Sequence, residues 1–122
     1  MTKKEHFISK RIKSIRYAFN GAFLLLKTEA SIKIQFVIAL IITALGFYYN
    51  ISTTEWIVQI LSIGLVMSIE SLNTAIEKIS DFIHPEHNTK IGFIKDIAAG
   101  AVFIASVFAI LIGFIIYLPK VF

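Results

Sequence analysis

The chain of 122 residues contains no cysteine, two prolines, six glycines and only 16% charged residues. Without cysteine, disulfide bonds and thiolate metal sites are excluded. The shortage of proline and glycine leaves no sign of a linker, so we expect a single domain over residues 1–122. Hydrophobic residues make up 57% of the chain and the mean hydropathy is +0.78. These values indicate a membrane protein.

Several signatures of phosphate chemistry are also missing from the sequence. It contains no G-x-x-x-x-G-K-[ST] phosphate loop, no H-R-D or D-F-G of protein kinases and no D-G…A-R pattern of CDP-alcohol transferases. Basic residues are unevenly spread, because eight of the twelve Lys and Arg lie within the first 33 residues. Such an arm predicts contact with an anionic membrane surface or with phosphates, and we expect no nucleic-acid partner.

Residues 1–28 predict an amphipathic helix that lies on the membrane surface. Apolar residues recur at helical spacing and form one stripe. They are Ile8, Ile12, Ile15, Phe19, Ala22, Phe23 and Leu26. The other side is cationic, which favours the interface plane of a membrane. The alternative is a helix that packs on the protein's own core.

Three apolar segments follow, and we expect transmembrane helices at about 30–50, 55–83 and 91–118. The loop 50–55 carries no basic residue, whereas the connector 78–96 carries three. By the positive-inside rule the N-terminus and this connector are cytoplasmic and the C-terminus is outside.

Residues 70–81, ESLNTAIEKISD, place four polar side chains on one helix face, directly after the mostly apolar run 56–69. Glu70, Asn73, Glu77 and Asp81 form a stripe about 80° wide that rises about 16 Å. A solvated helix end accounts for Asp81 and Glu77, but it fails for Glu70 and Asn73. Ionisable residues at membrane depth are costly and mark functional sites, so we interpret this pair as part of a site.

More acids are expected at the same level of the membrane. Glu29 precedes the first span, and Asp96 precedes the third with Lys95 beside it. Gathered carboxylates repel one another unless a cation joins them. Oxygen ligands without His or Cys favour Mg²⁺, which binds few protein carboxylates and often shares phosphate oxygens. The residues alone thus predict a site for Mg²⁺ and a phosphate compound at the inner membrane surface.

The chain resembles the small bacterial integral-membrane diacylglycerol and undecaprenol kinases. The resemblance rests on ESLNTAIEKISD (70–81), which matches E-x-x-N-[ST]-A-I-E-x-x-x-D, with support from TEAS (28–31) and KDIAAGAV (95–102). It runs nearly from end to end. It implies an all-α fold with one amphipathic surface helix and three transmembrane helices per subunit. It also implies a homotrimer with active sites shared between neighbouring subunits, in the bacterial inner membrane.

By the same resemblance, the function is ATP- and Mg²⁺-dependent phosphorylation of a membrane lipid alcohol. Glu70 resembles the general base, Asn73 the residue that orients it or the substrate, and Glu29 and Glu77 the ligands of Mg²⁺. The residues that it assigns to the nucleotide are Lys10, Tyr17, Glu29, Glu77, Asp81, Glu86, His87, Asn88, Lys95 and Asp96. Those that it assigns to the lipid are Lys13, Glu70 and Ala99.

Departures from the enterobacterial branch concern the lipid. Lys10 replaces an arginine and Gln35 replaces an acid, while TEW (54–56) and LPK (118–120) resemble the undecaprenol branch. We therefore expect a polyprenol, with diacylglycerol as the alternative.

A small transporter with an intramembrane glutamate is the rival function, but three spans without repeats do not form paired halves. A holin-like structural protein leaves Glu70 and Asn73 unexplained.

Overall fold

The computed structural model describes residues 2–122, which fold into four α-helices joined by short turns. They are α1 (Lys3–Thr28), α2 (Ala30–Tyr48), α3 (Thr53–Ile83) and α4 (Thr89–Val121). The described part of the chain contains no strand, which confirms the predicted all-α class. Three of the helices, α2, α3 and α4, are long and apolar enough to cross a membrane, as predicted.

Local capping explains where the helices depart from the predicted ends. α3 begins earlier than expected because Ser52 and Glu55 form a capping box, with hydrogen bonds of 3.1 and 2.9 Å to each other's backbone N–H. α4 begins earlier because Asn88 Oδ1 accepts from two backbone N–H groups of its first turn. α2 ends at Tyr48, and Asn50 then takes a left-handed conformation with φ of 50°.

The turn between α2 and α3 depends on a close approach at Gly46. A Cβ atom at this position would lie 2.6 Å from Cη2 of Trp56 and 3.1 Å from Cδ1 of Ile51. Only glycine therefore lets the Trp56 ring pack over the end of α2. The ring also lies 4.9 Å from that of Phe47, centroid to centroid.

Burial in α3 is the reverse of that in a helix of a water-soluble bundle, whereas the few buried residues of α2 and α4 are apolar or glycine. The buried residues of α3 are all polar: Gln59, Glu70, Asn73, Thr74 and Ser80. Large apolar side chains of the same helix, such as Leu61 and Leu72, point outward. An apolar outer face and a polar inner face on α3 suit a hydrocarbon solvent. The bundle is therefore built for a membrane.

The helices differ in length and in how they pack. With 31 and 33 residues, α3 and α4 reach about 46 and 50 Å, which exceeds the hydrocarbon thickness of about 30 Å. They pack against each other along most of this length, whereas α2 packs less closely on α3. None of the residues of α1 is buried. The alternative of an N-terminal helix packed on the protein's own core thus finds no support in this chain.

Candidate active site

The polar stripe of α3 lies at one end of the molecule and is buried over its deeper half. We call this the acidic end, defined by Glu29, the stripe 70–81 and the start of α4. Glu70 and Asn73 are 8% and 7% exposed, whereas Glu77 and Asp81, farther along the helix, are exposed. Leu72 and Ile79, on the opposite side of the helix, point outward. Among the four polar residues of the stripe, burial is thus confined to Glu70 and Asn73, the two residues for which a solvated helix end failed as an explanation.

Hydrogen bonding inside the stripe leaves acceptors free. The amide Nδ2 of Asn73 donates to Oε1 of Glu77 over 3.2 Å. The Oδ1 atom of Asn73 is buried and has no hydrogen-bond partner. Within residues 2–122, the Glu70 carboxylate takes part in no hydrogen bond or ion pair. Because buried polar atoms are rarely left unpaired, the Oδ1 atom of Asn73 has the capacity to accept a hydrogen bond from a ligand.

Two lysines tie neighbouring elements to the acidic end. Lys78 Nζ lies 3.2 Å from Oε1 of Glu29, which joins α3 to the junction between α1 and α2. Lys95 of α4 pairs with Asp81 of α3. The sequence predicted Lys78 only as a marker of the cytoplasmic side and gave it no role in the site, although its position inside the acidic motif was a signal. Asp96 is exposed beside Lys95.

The carboxylates of the acidic end do not gather as closely as the sequence predicted. Among the described residues, no group of three or more His, Asp or Glu side chains stands close enough to hold a metal ion. Glu29 and Glu77 each keep one carboxylate oxygen that no described residue bonds. Mg²⁺ retains waters and binds one or two carboxylates together with phosphate oxygens. Each of these free oxygens is of the kind that binds Mg²⁺ together with phosphate oxygens and waters.

The loop between α3 and α4 forms a small cleft of about 100 Å³. Glu86, His87, Asn88 and Lys95 line it together, so the structure brings together four of the residues assigned to the nucleotide. His84 braces the loop, since its Nδ1 lies 2.8 Å from the backbone oxygen of Glu86. The side chain of Asn88 is already engaged as the cap of α4.

Other predicted residues lie apart from this cleft. Lys10, Lys13 and Tyr17 are exposed on α1, whose main neighbour is α2, and their side chains form no hydrogen bond or ion pair with another described residue. Ala99 is exposed on α4. The single chain does not bring these four residues to Glu70.

A second polar cluster, not predicted from the sequence, lies at the opposite end of the bundle. Tyr117 donates to the side chain of Gln59 and lies 3.2 Å from the carbonyl oxygen of Ile42, so one hydroxyl joins α2, α3 and α4. Lys120 Nζ lies 2.7 Å from Oε2 of Glu55 and 3.0 Å from the carbonyl oxygen of Ile116. The single glutamine inside an apolar run was the signal for this cluster.

Comparison with known proteins identifies a family to which this chain is similar. The family model of prokaryotic diacylglycerol kinase matches residues 16–117. The chain is 35% identical to the undecaprenol kinase of Bacillus subtilis over 122 residues, which cover 98% of this chain and 99% of that protein. It is 34% identical to the diacylglycerol kinase of Haemophilus influenzae over 77% of this chain and 80% of that protein. The Escherichia coli diacylglycerol kinase is 30% identical, with 82% of each chain covered.

Proposed function

Because this chain belongs to the prokaryotic diacylglycerol kinase family and is a lipid kinase, we propose that it transfers a phosphoryl group from ATP to the hydroxyl of a membrane polyprenol, with Mg²⁺ as cofactor. The observation that carries the proposal is Glu70, which is only 8% exposed and whose carboxylate pairs with no described residue. Membership of the family also decides against the transporter alternative.

Glu70 is proposed as the general base. A lipid alcohol must lose its proton as it attacks the phosphoryl group, and a base within hydrogen-bond reach assists that step. Glu70 is the most deeply placed acid of the stripe, nearest to the acyl region in which a lipid hydroxyl approaches. Asn73 holds Glu77 through its amide, while its buried carbonyl oxygen is free to accept from the substrate hydroxyl or from water. We therefore assign Asn73 the positioning role.

Glu29 and Glu77 are proposed to hold Mg²⁺ against the phosphates of ATP. The ion, when bound, neutralises charge that develops on the transferred group. The protein's part is to keep two carboxylates available: Lys78 fixes one oxygen of Glu29, and Asn73 fixes one oxygen of Glu77. The cleft of the α3–α4 loop, with Lys95 at its edge, is proposed to receive the nucleotide together with Asp81 and Asp96.

A homotrimer with shared sites accounts for the residues that the single chain leaves apart. Lys10, Lys13 and Tyr17 project from a helix that buries no residue, so α1 of one copy is free to cover the acidic end of another. The cationic face of α1 would meet ATP or headgroup phosphates there, while its apolar stripe rests in the membrane surface. Ala99, exposed on α4, would contact the lipid.

We place the acidic end at the cytoplasmic face of the bacterial inner membrane. Lys78, Lys90 and Lys95 lie at this end, and the basic N-terminal arm enters the first span from the same side. A reporter fused after Phe122 is expected outside, and one inserted near Asn88 is expected inside. If both reporters fall on one side, this orientation is wrong.

The preference for a polyprenol over diacylglycerol is supported by the likeness to the Bacillus subtilis undecaprenol kinase over nearly the whole chain. The test is phosphate transfer from radiolabelled ATP by the purified protein, with undecaprenol and diacylglycerol as parallel acceptors, with and without Mg²⁺. We expect magnesium-dependent labelling, with kcat/KM higher for undecaprenol. Higher kcat/KM for diacylglycerol would reverse the assignment of the lipid.

A further inference from the structure

A cavity of about 440 Å³ lies between α2, α3 and α4, outside the acidic site. We propose that it binds the hydrocarbon tail of the lipid alcohol and thereby selects long-chain acceptors. The proposal rests on the proposed role of Glu70 as base. The lining is chiefly apolar and includes Ile38, Ile63, Val66, Ile110 and Gly113. Its volume lies within the range of about 300–1,000 Å³ that is typical of small-molecule sites.

The pairing of helices places one end of this cavity, the end lined by Ser106, level with Glu70. We call this end the head of the cavity. The pairs Asp81–Lys95 and Gln59–Tyr117 set one antiparallel register between α3 and α4. In that register Glu70 stands opposite Ser106, which lines the cavity. An acceptor hydroxyl held at Glu70 would thus have its tail at the mouth of the cavity.

The polarity of the cavity matches an amphiphile in that orientation. The pairs Glu29–Lys78 and Ile42–Gln59 place Gln35 of α2 near the level of Glu70 as well. Gln35 lines the cavity, and its Oε1 atom is buried without a hydrogen-bond partner. Beyond Ser106 and Gln35 the lining is apolar except for Ser62, whose hydroxyl donates to the backbone oxygen of its own helix at Val58. The hydrogen bond between Gln59 and Tyr117 closes the far end.

The length of the cavity accommodates only part of a polyprenol tail. From Glu70 to Gln59 the helix rises about 16 Å, close to half of a hydrocarbon core of about 30 Å. The rest of a longer tail would leave the cavity through the gap between α2 and α4. Both helices pack on α3 and make few contacts with each other. The occupant to which we commit is therefore the first part of a lipid tail.

Gly113 permits a direct test by filling the cavity. A Cβ atom added to Gly113 meets nothing within 4 Å, and the same holds for Gly64, which is exposed on α3 and does not line the cavity. Gly113→Leu and Gly64→Leu are therefore matched substitutions. Phosphorylation of undecaprenol and of the short prenol geraniol is measured for both variants and for the wild type. A difference of one methylene in an apolar pocket changes the ratio of kcat/KM between two substrates by about 10-fold or more. Gly113→Leu is therefore expected to raise KM for undecaprenol by about that factor.

The same variant should leave geraniol turnover near the wild-type value, and Gly64→Leu should change neither substrate. Equal effects of the two leucines, or equal loss with both acceptors, would overturn the proposal. If Gly113→Leu does not fold, Gly113→Ala and Ala109→Val fill less of the cavity and replace it in the same test. A change of oligomeric state in these variants alone would mean that a second copy covers the cavity, which also overturns it.

A polyprenol that carries a photoreactive group in its tail supplies a readout independent of turnover. We expect crosslinks to the cavity-lining positions of α3 and α4, and their loss in Gly113→Leu. Crosslinks confined to outward-facing residues such as Leu61 and Phe103 would contradict the proposal. If the wild type phosphorylates no lipid alcohol, the proposed function itself fails, and this result is separate from either outcome of the cavity test.

Discussion

The two ends of the bundle contain the same kinds of polar residues but differ in how completely these residues are paired. At the end near Tyr117, hydroxyl, amide, ammonium and carboxylate groups are paired across three helices. At the acidic end, Glu70 has no partner among the described residues and Asn73 Oδ1 is buried and unpaired. A buried group without a partner costs stability. The paired end is therefore suited to holding the helices together, and the acidic end keeps its bonding capacity for ligands.

The largest effect that separates the two ends is expected from Glu70→Gln. Glutamine keeps the size of the side chain but cannot accept the proton of the lipid hydroxyl, so kcat should fall by about 10²–10⁴-fold with little change in nucleotide affinity. Glu55→Gln applies the same change at the other end of the same helix and should leave kcat within a few fold. Initial rates at saturating ATP and lipid make the comparison.

The competing explanation is that Glu70 only stabilises the bundle. In that case Glu70→Gln would keep near-normal turnover, and a folded variant with that behaviour would falsify the role as base. Melting temperature and oligomeric state of both variants are measured alongside the rates.

A smaller effect is expected at the carboxylates assigned to Mg²⁺. Glu29→Gln and Glu77→Gln should each raise the magnesium concentration needed for half-maximal rate by about 10-fold or more, because each removes one charged ligand. Lys78→Gln is the sharper control, because it breaks the ion pair with Glu29 but leaves the carboxylate. If Lys78→Gln shifts the magnesium requirement as much as Glu29→Gln does, Glu29 acts through the ion pair and does not bind the metal.

At the paired end, substitution should affect stability and not chemistry. Gly46→Ala forces a methyl group against the Trp56 ring, and overpacking of this kind costs about 1–3 kcal/mol. Gly64→Ala adds the same methyl group in open space and should be neutral or slightly stabilising. Thermal unfolding in detergent compares the two variants. Equal melting temperatures would show that the turn between α2 and α3 tolerates a side chain at Gly46.

The contrast between the ends also shows how far the sequence alone could lead. Apolar runs predicted three spans, and the spacing of Glu70, Asn73, Glu77 and Asp81 predicted one stripe on a single helix face, because both features are local to single helices. The pairs Glu29–Lys78 and Gln59–Tyr117 were out of reach, since they depend on the register between helices that are distant in sequence. The cavity depends on the same register. Proposed contacts of α1 with the site involve more than one chain, so a single sequence predicts them only by resemblance.

The smallest effect is expected from removing one hydroxyl at the paired end. Tyr117→Phe takes away the bonds to Gln59 and to the carbonyl oxygen of Ile42. Polar contacts between membrane helices contribute about 0.6 kcal/mol on average and about 1.7 kcal/mol at most, so unfolding free energy should fall by an amount in that range. Tyr48→Phe removes an exposed hydroxyl that bonds to no described residue and should leave stability unchanged. Since α4 keeps its ion pair at Lys120 with Glu55, kcat for a short prenol should stay at the wild-type value in both variants. A fall in kcat in Tyr117→Phe without loss of stability would mean that the paired end acts on the chemistry, and the division between the two ends would be wrong.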